Sequence, residues 1–272
     1  MALLDAPLGK TSDYPDRYDP DLLFPVARGE NRRRLGLNDG RWPWFGADLW
    51  QAWEISWLRP GGIPEVAWAE FVFPAASPSI IESKSLKLYL NSLNQTVYSS
   101  AEQVAEVITQ DLSSACGAAV QVKMMSVDES GDAIGRPGGF TLIDDEPVSD
   151  VVYDYAPESL SSGGEDVTEH LCSHLLKSNC PVTGQPDWAT LLISYTGPKM
   201  DRAGLLRYVV SFRQKQDFHE HCVETVFTDL MNRCMPESLT VCARYTRRGG
   251  LDINPWRSTE TGQDAGPRLV RQ

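Results

Sequence analysis

The sequence predicts an α+β fold in which antiparallel sheets are backed by helices. Two observations carry that prediction. Strand, loop, helix and strand follow one another once in each half of the chain, at comparable spacing. Hairpin-like neighbours dominate, and no series of strands alternates with crossover helices as a parallel sheet requires. The same repetition predicts an internal duplication, and 272 residues suffice for two medium-sized units with a core each.

Taken in order, residues 1–40 are rich in Pro, Asp and Arg and read as an N-terminal arm. Residues 41–145 form a first unit. It opens with "RWPWFGADLWQAWEISWL" and "PEVAWAEFVF", strand-like pieces bounded by Pro60-Gly61-Gly62 and Pro74, holding six of the eight tryptophans. Such density is more often core or subunit interface than ligand cage. In "ESKSLKLYLN" (82–91), Leu86, Leu88 and Leu90 alternate with Lys87, Tyr89 and Asn91, which predicts a half-buried strand. The charges at its entrance, Glu82 and Lys84, either guard a sheet edge or are delivered to a ligand. A helix follows near Ser100–Cys116, with Val104, Val107, Ile108 and Leu112 on one face and Ser100 as its cap. Residues 119–126 read as a strand and 127–139 as a glycine-rich loop.

The acidic stretch 146–168 reads as a connection, and residues 169–272 as a second unit. There "WATLLISY", "LLRYVVSFRQ" (205–214) and "LTVCARYT" (239–246) read as strands. "DFHEHCVETVFTDLMNRC" (217–234) reads as a helix capped by Asp217.

Composition narrows the function. A formal net charge of −12 disfavours nucleic acid as a direct partner. The basic clusters Arg32-Arg33-Arg34 and Arg244, Arg247, Arg248 are local. No apolar run approaches the roughly 20 residues of a membrane span, and the first residues lack the pattern of a secretory signal. A cytoplasmic location away from membranes is the expectation. Six cysteines without a CxxC pair suit reduced thiols in a core. Gly9-Lys10-Thr11 lacks the leading glycine of a phosphate loop, and neither G-x-G-x-x-G opening a helix nor G-x-S-x-G occurs. Two His/Cys groupings, His170, Cys172, His174, Cys180 and "HEHC" (219–222), lack a recognised zinc spacing, so no metal is expected.

One segment stands out chemically. In "SNCPVTGQPDWATLLISYTG", Cys180 falls in a polar turn built from Pro181, Gly184 and Pro186, with Asp187 following just before an apolar strand. That pattern suits a nucleophilic thiolate beside a general acid. It equally suits an ordinary turn.

Four separated segments, "ESKSLKLYLNS", "SNCPVTGQPDWA", "DFHEHCVE" and "RRGGLDINPWRS", together with the early "LGKTSDYPDRYDPDLLFPVAR", carry a resemblance over nearly the whole chain. The chain resembles the long form of the NADPH-dependent 7-cyano-7-deazaguanine reductases, nitrile reductases of queuosine biosynthesis. The resemblance implies a tunnelling fold with two tandem units in one chain and a homodimer. It implies Cys180 as nucleophile through a covalent thioimide and Asp187 as proton donor. Ile81, Glu82, Ser83, His219 and Glu220 would bind the deazapurine; Ser83, Lys84, Arg248 and Gly249 would bind NADPH. Rival readings are a zinc-dependent cyclohydrolase of the same fold and a non-catalytic purine- or pterin-binding module. Cys222 lies one helical turn after His219. It is either a trap for oxidised Cys180 or a buried helical cysteine.

Overall fold

Long antiparallel strands in the computed structural model set the frame on which the helices pack. It describes residues 15, 17–37, 42–128 and 138–272. The start of the expected arm with Gly9-Lys10-Thr11, and much of the glycine-rich loop, lie outside the described residues. The strands pair almost entirely antiparallel, and the fold is α+β. The chain divides into two compact units. The first takes the described residues within Met1–Arg33, Asp48–Gly131 and Arg247–Ile253; the second takes those within Arg34–Ala47, Asp132–Thr246 and Asn254–Gln272.

In the first unit, β1 (Pro25–Ala27) is followed by a short helix, α1 (Gly29–Arg34), and two long strands, β2 (Phe45–Leu58) and β3 (Pro64–Pro74). β4 (Ser79–Ile81) pairs back onto β1, with Ile80 opposite Val26. Helices α2 (Ser83–Ser92) and α3 (Ala101–Cys116) come next, and β5 (Gln121–Ser126) pairs with β3. Trp50, Trp57, Phe71 and Phe73 form the core with Leu86, Tyr89, Val104, Ile108 and Leu112. The tryptophan-rich segment is therefore largely core, with Trp44, Trp50, Trp57 and Trp68 all buried. The Arg28–Asp48 ion pair lies buried within this unit.

The stretch 82–91 is helical, which corrects the strand expected there. Leu86, Tyr89, Leu90 and Leu93 recur at helical spacing and are all buried; the alternation of leucines hid that quartet. Glu82 decides the start, because its two carboxylate oxygens accept from the amides of Lys84 (2.7 Å) and Ser85 (2.8 Å). α3 matches expectation, with Ser100 accepting from Gln103 N and Gly117 closing the helix in the left-handed region.

The second unit repeats the plan. A two-residue strand, β6 (Thr141–Leu142), runs parallel to β7 (Ser162–Asn179), which forms a long hairpin with β8 (Pro186–Met200). Residues 162–168, assigned from sequence to the acidic connection, are the first part of β7. Helices α4 (Arg202–Ser211) and α5 (His219–Cys234) follow, then β9 (Ser238–Tyr245) beside β8 and β10 (Leu251–Ser258) beside β9. The expected strand at 205–214 is mostly α4, capped by Asp201 on Ala203 N at 3.1 Å. Its Leu205, Tyr208, Val209 and Phe212 make a helical stripe despite their strand-favouring composition.

The two helix pairs are held alike. Tyr18 and Tyr89 both donate to Asp111 Oδ2 on α3, at 2.7 and 2.6 Å. Tyr155 (2.6 Å) and Tyr208 both donate to Asp229 Oδ2 on α5. Ser92 and Ser211 each bond the carbonyl of the tyrosine three residues before, and each accepts from a backbone amide, of Asp19 and Ala156 respectively. Hairpin, helix pair and strand thus recur in both units with matching pins.

α5 is not capped as expected. Phe218 is its N-cap position and supplies no side-chain bond. Asp217 instead accepts from Phe218 N and from His221 Nδ1, both at 3.0 Å, with Lys215 Nζ at 3.4 Å. Further along α5, Glu224 Oε1 accepts from Arg257 Nη2 (2.9 Å) and Nε (3.3 Å), both side chains fully buried. Gly46 is required beside that pair, since a Cβ there would sit 2.3 Å from the Trp256 carbonyl.

Two stability measurements follow from these pairs. Glu224→Ala strands the Arg257 guanidinium and should cost about 3–5 kcal/mol in urea unfolding. A loss under about 1 kcal/mol would mean that the neighbouring carbonyls suffice for the guanidinium. For Asp217, burial works to raise the pKa, but the His221 hydrogen bond and charge and Lys215 outweigh it and leave the carboxyl lowered. A lowered folded pKa stabilises above the unfolded value and is lost as pH falls through the folded one. Asp217→Asn should therefore be less stable than wild type at neutral pH, and the gap should close in acid below the ordinary carboxylate range. A gap that persists unchanged there would rule out this linkage.

Candidate active site

In the second unit the β7–β8 hairpin carries the nucleophile candidate. Ser178 stands opposite Asp187 and Asn179 opposite Pro186, so Cys180 begins the turn directly beyond the last pair. The turn is closed by Cys180 N to Gln185 O (2.8 Å) and Gly184 N to Cys180 O (3.0 Å). Asn179 N donates to Lys215 O (2.8 Å), and Asn179 O accepts from Asp217 N (3.0 Å). These two bonds tie the hairpin end to the segment that opens α5. Lys177 Nζ reinforces the tie by donating to Asn179 Oδ1 (2.6 Å) and Arg213 O (2.7 Å).

α5 then delivers the other predicted residues of this unit. His219 Nε2 lies 3.3 Å from Asp187 Oδ2. Its ring stacks on Tyr245 with centroids 3.7 Å apart and planes 6° from parallel. Glu220 is buried in the first turn, where the positive end of the helix dipole favours a carboxylate. Cys180 is 3% exposed and Asp187 6% exposed, so both are largely shielded from bulk water. Cys180, Asp187, His219 and Glu220 thus gather at one end of this unit. Cys180 and Cys222 are both free, buried thiols. Burial, chiefly, pushes Cys222 up to about 12, with the Ser178 and Tyr245 hydroxyls beside it.

The first unit holds the remaining predicted residues. Ile81 ends β4 opposite Pro25, and Glu82 follows it, fully buried. Burial raises the pKa of Glu82, and the two helix amides it accepts from work against that rise. Ser83 and Lys84 occupy the first turn of α2, half-buried. Arg248 and Gly249 lie in a turn closed by Arg248 N to Leu251 O (2.9 Å) and Leu251 N to Arg248 O (3.2 Å).

Lys87, which sequence reasoning passed over, joins α2 to that turn. Its Nζ donates to Gly249 O (2.9 Å) and to Glu54 (3.2 Å), beside a crevice of about 70 Å³. The glycines of the turn have positive φ, and a Cβ on Gly250 would sit 2.6 Å from the Glu54 carboxyl carbon. The helical spacing of Lys84 and Lys87 was the available signal, and it was masked by the strand assignment. A guanidinium, an ammonium and a helix N-terminus in this unit suit phosphate groups of a dinucleotide.

The histidines weighed as zinc ligands are otherwise engaged. His170 Nδ1 pairs with Ser194 Oγ (2.8 Å) and His174 Nδ1 with Thr190 Oγ1 (3.0 Å). Among the described residues, no group of three or more His, Cys, Asp or Glu is arranged to hold a metal. Among them too, no helix is long and apolar enough to cross a membrane.

Comparison with known proteins agrees with these motifs. The family described as "Nitrile reductase, 7-cyano-7-deazaguanine-reductase N-term" matches residues 14–124, and "QueF-like protein" matches residues 186–264. A protein of Chromohalobacter salexigens named NADPH-dependent 7-cyano-7-deazaguanine reductase is 54% identical, over 98% of this chain and 96% of its own. Proteins of the same name from Desulfotalea psychrophila (51%, over 98% and 97%) and Bordetella parapertussis (52%, over the whole of both chains) are similar. With four separated motifs in place and full-length relatives above half identity, the chain belongs to the 7-cyano-7-deazaguanine nitrile reductase family.

Proposed function

We propose that this protein reduces the nitrile of 7-cyano-7-deazaguanine to the primary amine 7-aminomethyl-7-deazaguanine with two NADPH, a step of queuosine biosynthesis. The observation that carries the mechanism is the Cys180 turn placed beside the Asp187–His219 pair. Cys180 as thiolate adds to the nitrile carbon while Asp187 gives a proton to the nitrile nitrogen, forming a neutral thioimide. NADPH supplies two hydrides in all, the first to the thioimide carbon and the second to the imine left when the thiolate departs. Each reduction also takes up one proton, so the nitrile, two NADPH and two protons give the amine and two NADP⁺. His219 holds Asp187 in place and can return a proton to it.

Glu220, aided by Glu82, is the anchor for the base. The two oxygens of a carboxylate match the adjacent N–H and NH₂ donors of a guanine-like edge. Ile81 and Ser83 complete the substrate set. Ser83, Lys84, Arg248 and Gly249 hold the NADPH, with Lys87 steadying the Gly249 turn. The repeated hairpin, helix pair and strand supports a tunnelling fold with tandem units, read as 41–145 and 169–272, and a homodimer is the assembly we infer. NADPH oxidation with the cyano-deazaguanine, unchanged by a chelator, separates this activity from a zinc-dependent cyclohydrolase and from a non-catalytic purine- or pterin-binding module.

Two experiments probe the residues. Intact-protein mass spectrometry of wild type with the nitrile alone should show one added substrate mass, absent in Cys180→Ala, which should also oxidise no NADPH. An unshifted wild-type mass, or an active alanine variant, would sink the covalent step. Arg248→Ala should raise the KM for NADPH about tenfold or more, the loss of a charge-assisted hydrogen bond, and leave the KM for the nitrile nearly as it was. Equal wild-type activity with NADH would count against any phosphate-reading role.

A further inference from the structure

We propose that Tyr245 is a positioning residue for the proton-donating pair, its ring being the surface that holds the His219 imidazole with Nε2 against Asp187. The inference rests on Asp187 being the proton donor. Imidazoles that work beside a carboxylate commonly have their plane fixed by a hydrogen bond at the second nitrogen. His219 Nδ1 is buried and has no hydrogen-bond partner among the described residues. His219 is also the first residue of α5, where no side chain caps the helix. What defines the ring plane is the near-parallel stack on Tyr245.

Tyr245 is itself immobile. It is 0% exposed and ends β9 opposite Ala189 of β8. The next residue continues the tie, with Thr246 N donating to Trp188 O at 2.9 Å. Its phenol end is buried beside Cys222 and Ser178. Ser178 in turn stands opposite Asp187. Strand β8 thus presents Asp187 one residue away from Trp188, whose carbonyl anchors the end of β9. Donor carboxylate and imidazole support are set by the same strand pair. Remove the ring, and the imidazole is free to turn about χ2, so that Asp187 loses a partner of defined direction.

The test compares Tyr245→Phe, which keeps the ring, with Tyr245→Leu and the unbranched, gap-filling Tyr245→Met, which remove it. The ring-deleting variants should lose at least about tenfold in kcat, within the range that a positioned general acid contributes. Their KM for the nitrile should move by less than about threefold, a shift of well under a tenfold step in free energy. Phe should restore kcat to within about twofold of wild type. A second readout needs no turnover: ¹⁵N-histidine spectra of ligand-free protein, with His219 assigned by its loss in His219→Gln. The His219 nitrogen shifts should move in Leu or Met and stay put in Phe. Wild-type kcat and unmoved His219 signals in a folded Leu or Met variant would overturn the proposal. So would a Phe variant as impaired as Leu, which would assign the role to the hydroxyl. A wild type that never oxidises NADPH with the nitrile would defeat the proposed reaction, while the spectra would still decide the stacking.

Discussion

Two backbone hydrogen bonds at Asn179 fix the geometry on which the second unit's site depends. The strand end β7 donates to Lys215 O and accepts from Asp217 N, so the turn bearing Cys180 is bonded to the segment that opens α5. Neither bond is strong, each contributing about 1 kcal/mol net. Their effect is positional: the hairpin end with Cys180 and Asp187 and the helix start with His219 and Glu220 come from separate stretches of chain and share this reference. The first unit has the same tie, with Leu58 N bonded to Thr96 O and Tyr98 N to Leu58 O. The tie thus recurs in both units.

What the scaffold presents differs between the units. Where the second closes its turn from Cys180 to Gln185, the first closes from Arg59 to Ile63, with Glu65 following Pro64 as Asp187 follows Pro186. An arginine in place of a thiol leaves that turn without a nucleophile. The reverse holds at the helix starts. Glu82 is followed by Ser83 and Lys84, whereas Asp201 is followed by Arg202, which is spent on Glu169 at 2.6 Å. One unit carries a thiol in its turn and the other a cationic, amide-rich helix start, on a similar order of elements.

How much of this was legible depended on where the signal resides. α3 was readable because its cap and apolar stripe are local and unambiguous. α2 and α4 were not, since Leu86, Leu88 and Leu90 satisfy a period of two as well as a helix, and Tyr208, Val209 and Val210 favour strands by composition. The repeated element order could be suspected, but the Tyr–Tyr–Asp pins that both units share join residues far apart in the chain. Cys180 and Asp187 were visible as a suggestive turn, and their roles came from resemblance. Tyr245 left no sequence trace, because a ring stack exists only after folding, and the helical spacing that marked Lys87 was hidden by the strand reading of its segment.

Glu82 shows how a helix cap can hold a buried carboxylate ready for the role proposed for it above. A fully buried carboxylate is costly unless donors surround it, and the amides of Lys84 and Ser85 meet that need as a helix cap. Each carboxylate oxygen has two acceptor positions; Oε1 takes the Lys84 amide and, at 3.5 Å, the Ser83 hydroxyl, while Oε2, bonded to the Ser85 amide, keeps a second position for an N–H donor. Burial favours the protonated acid while N–H donors favour the anion. A ligand that brings further N–H donors therefore stabilises the ionised form, and ionisation strengthens its own bonds. The cap is thus what keeps a carboxylate oriented in a dry place, as the base contact proposed above requires.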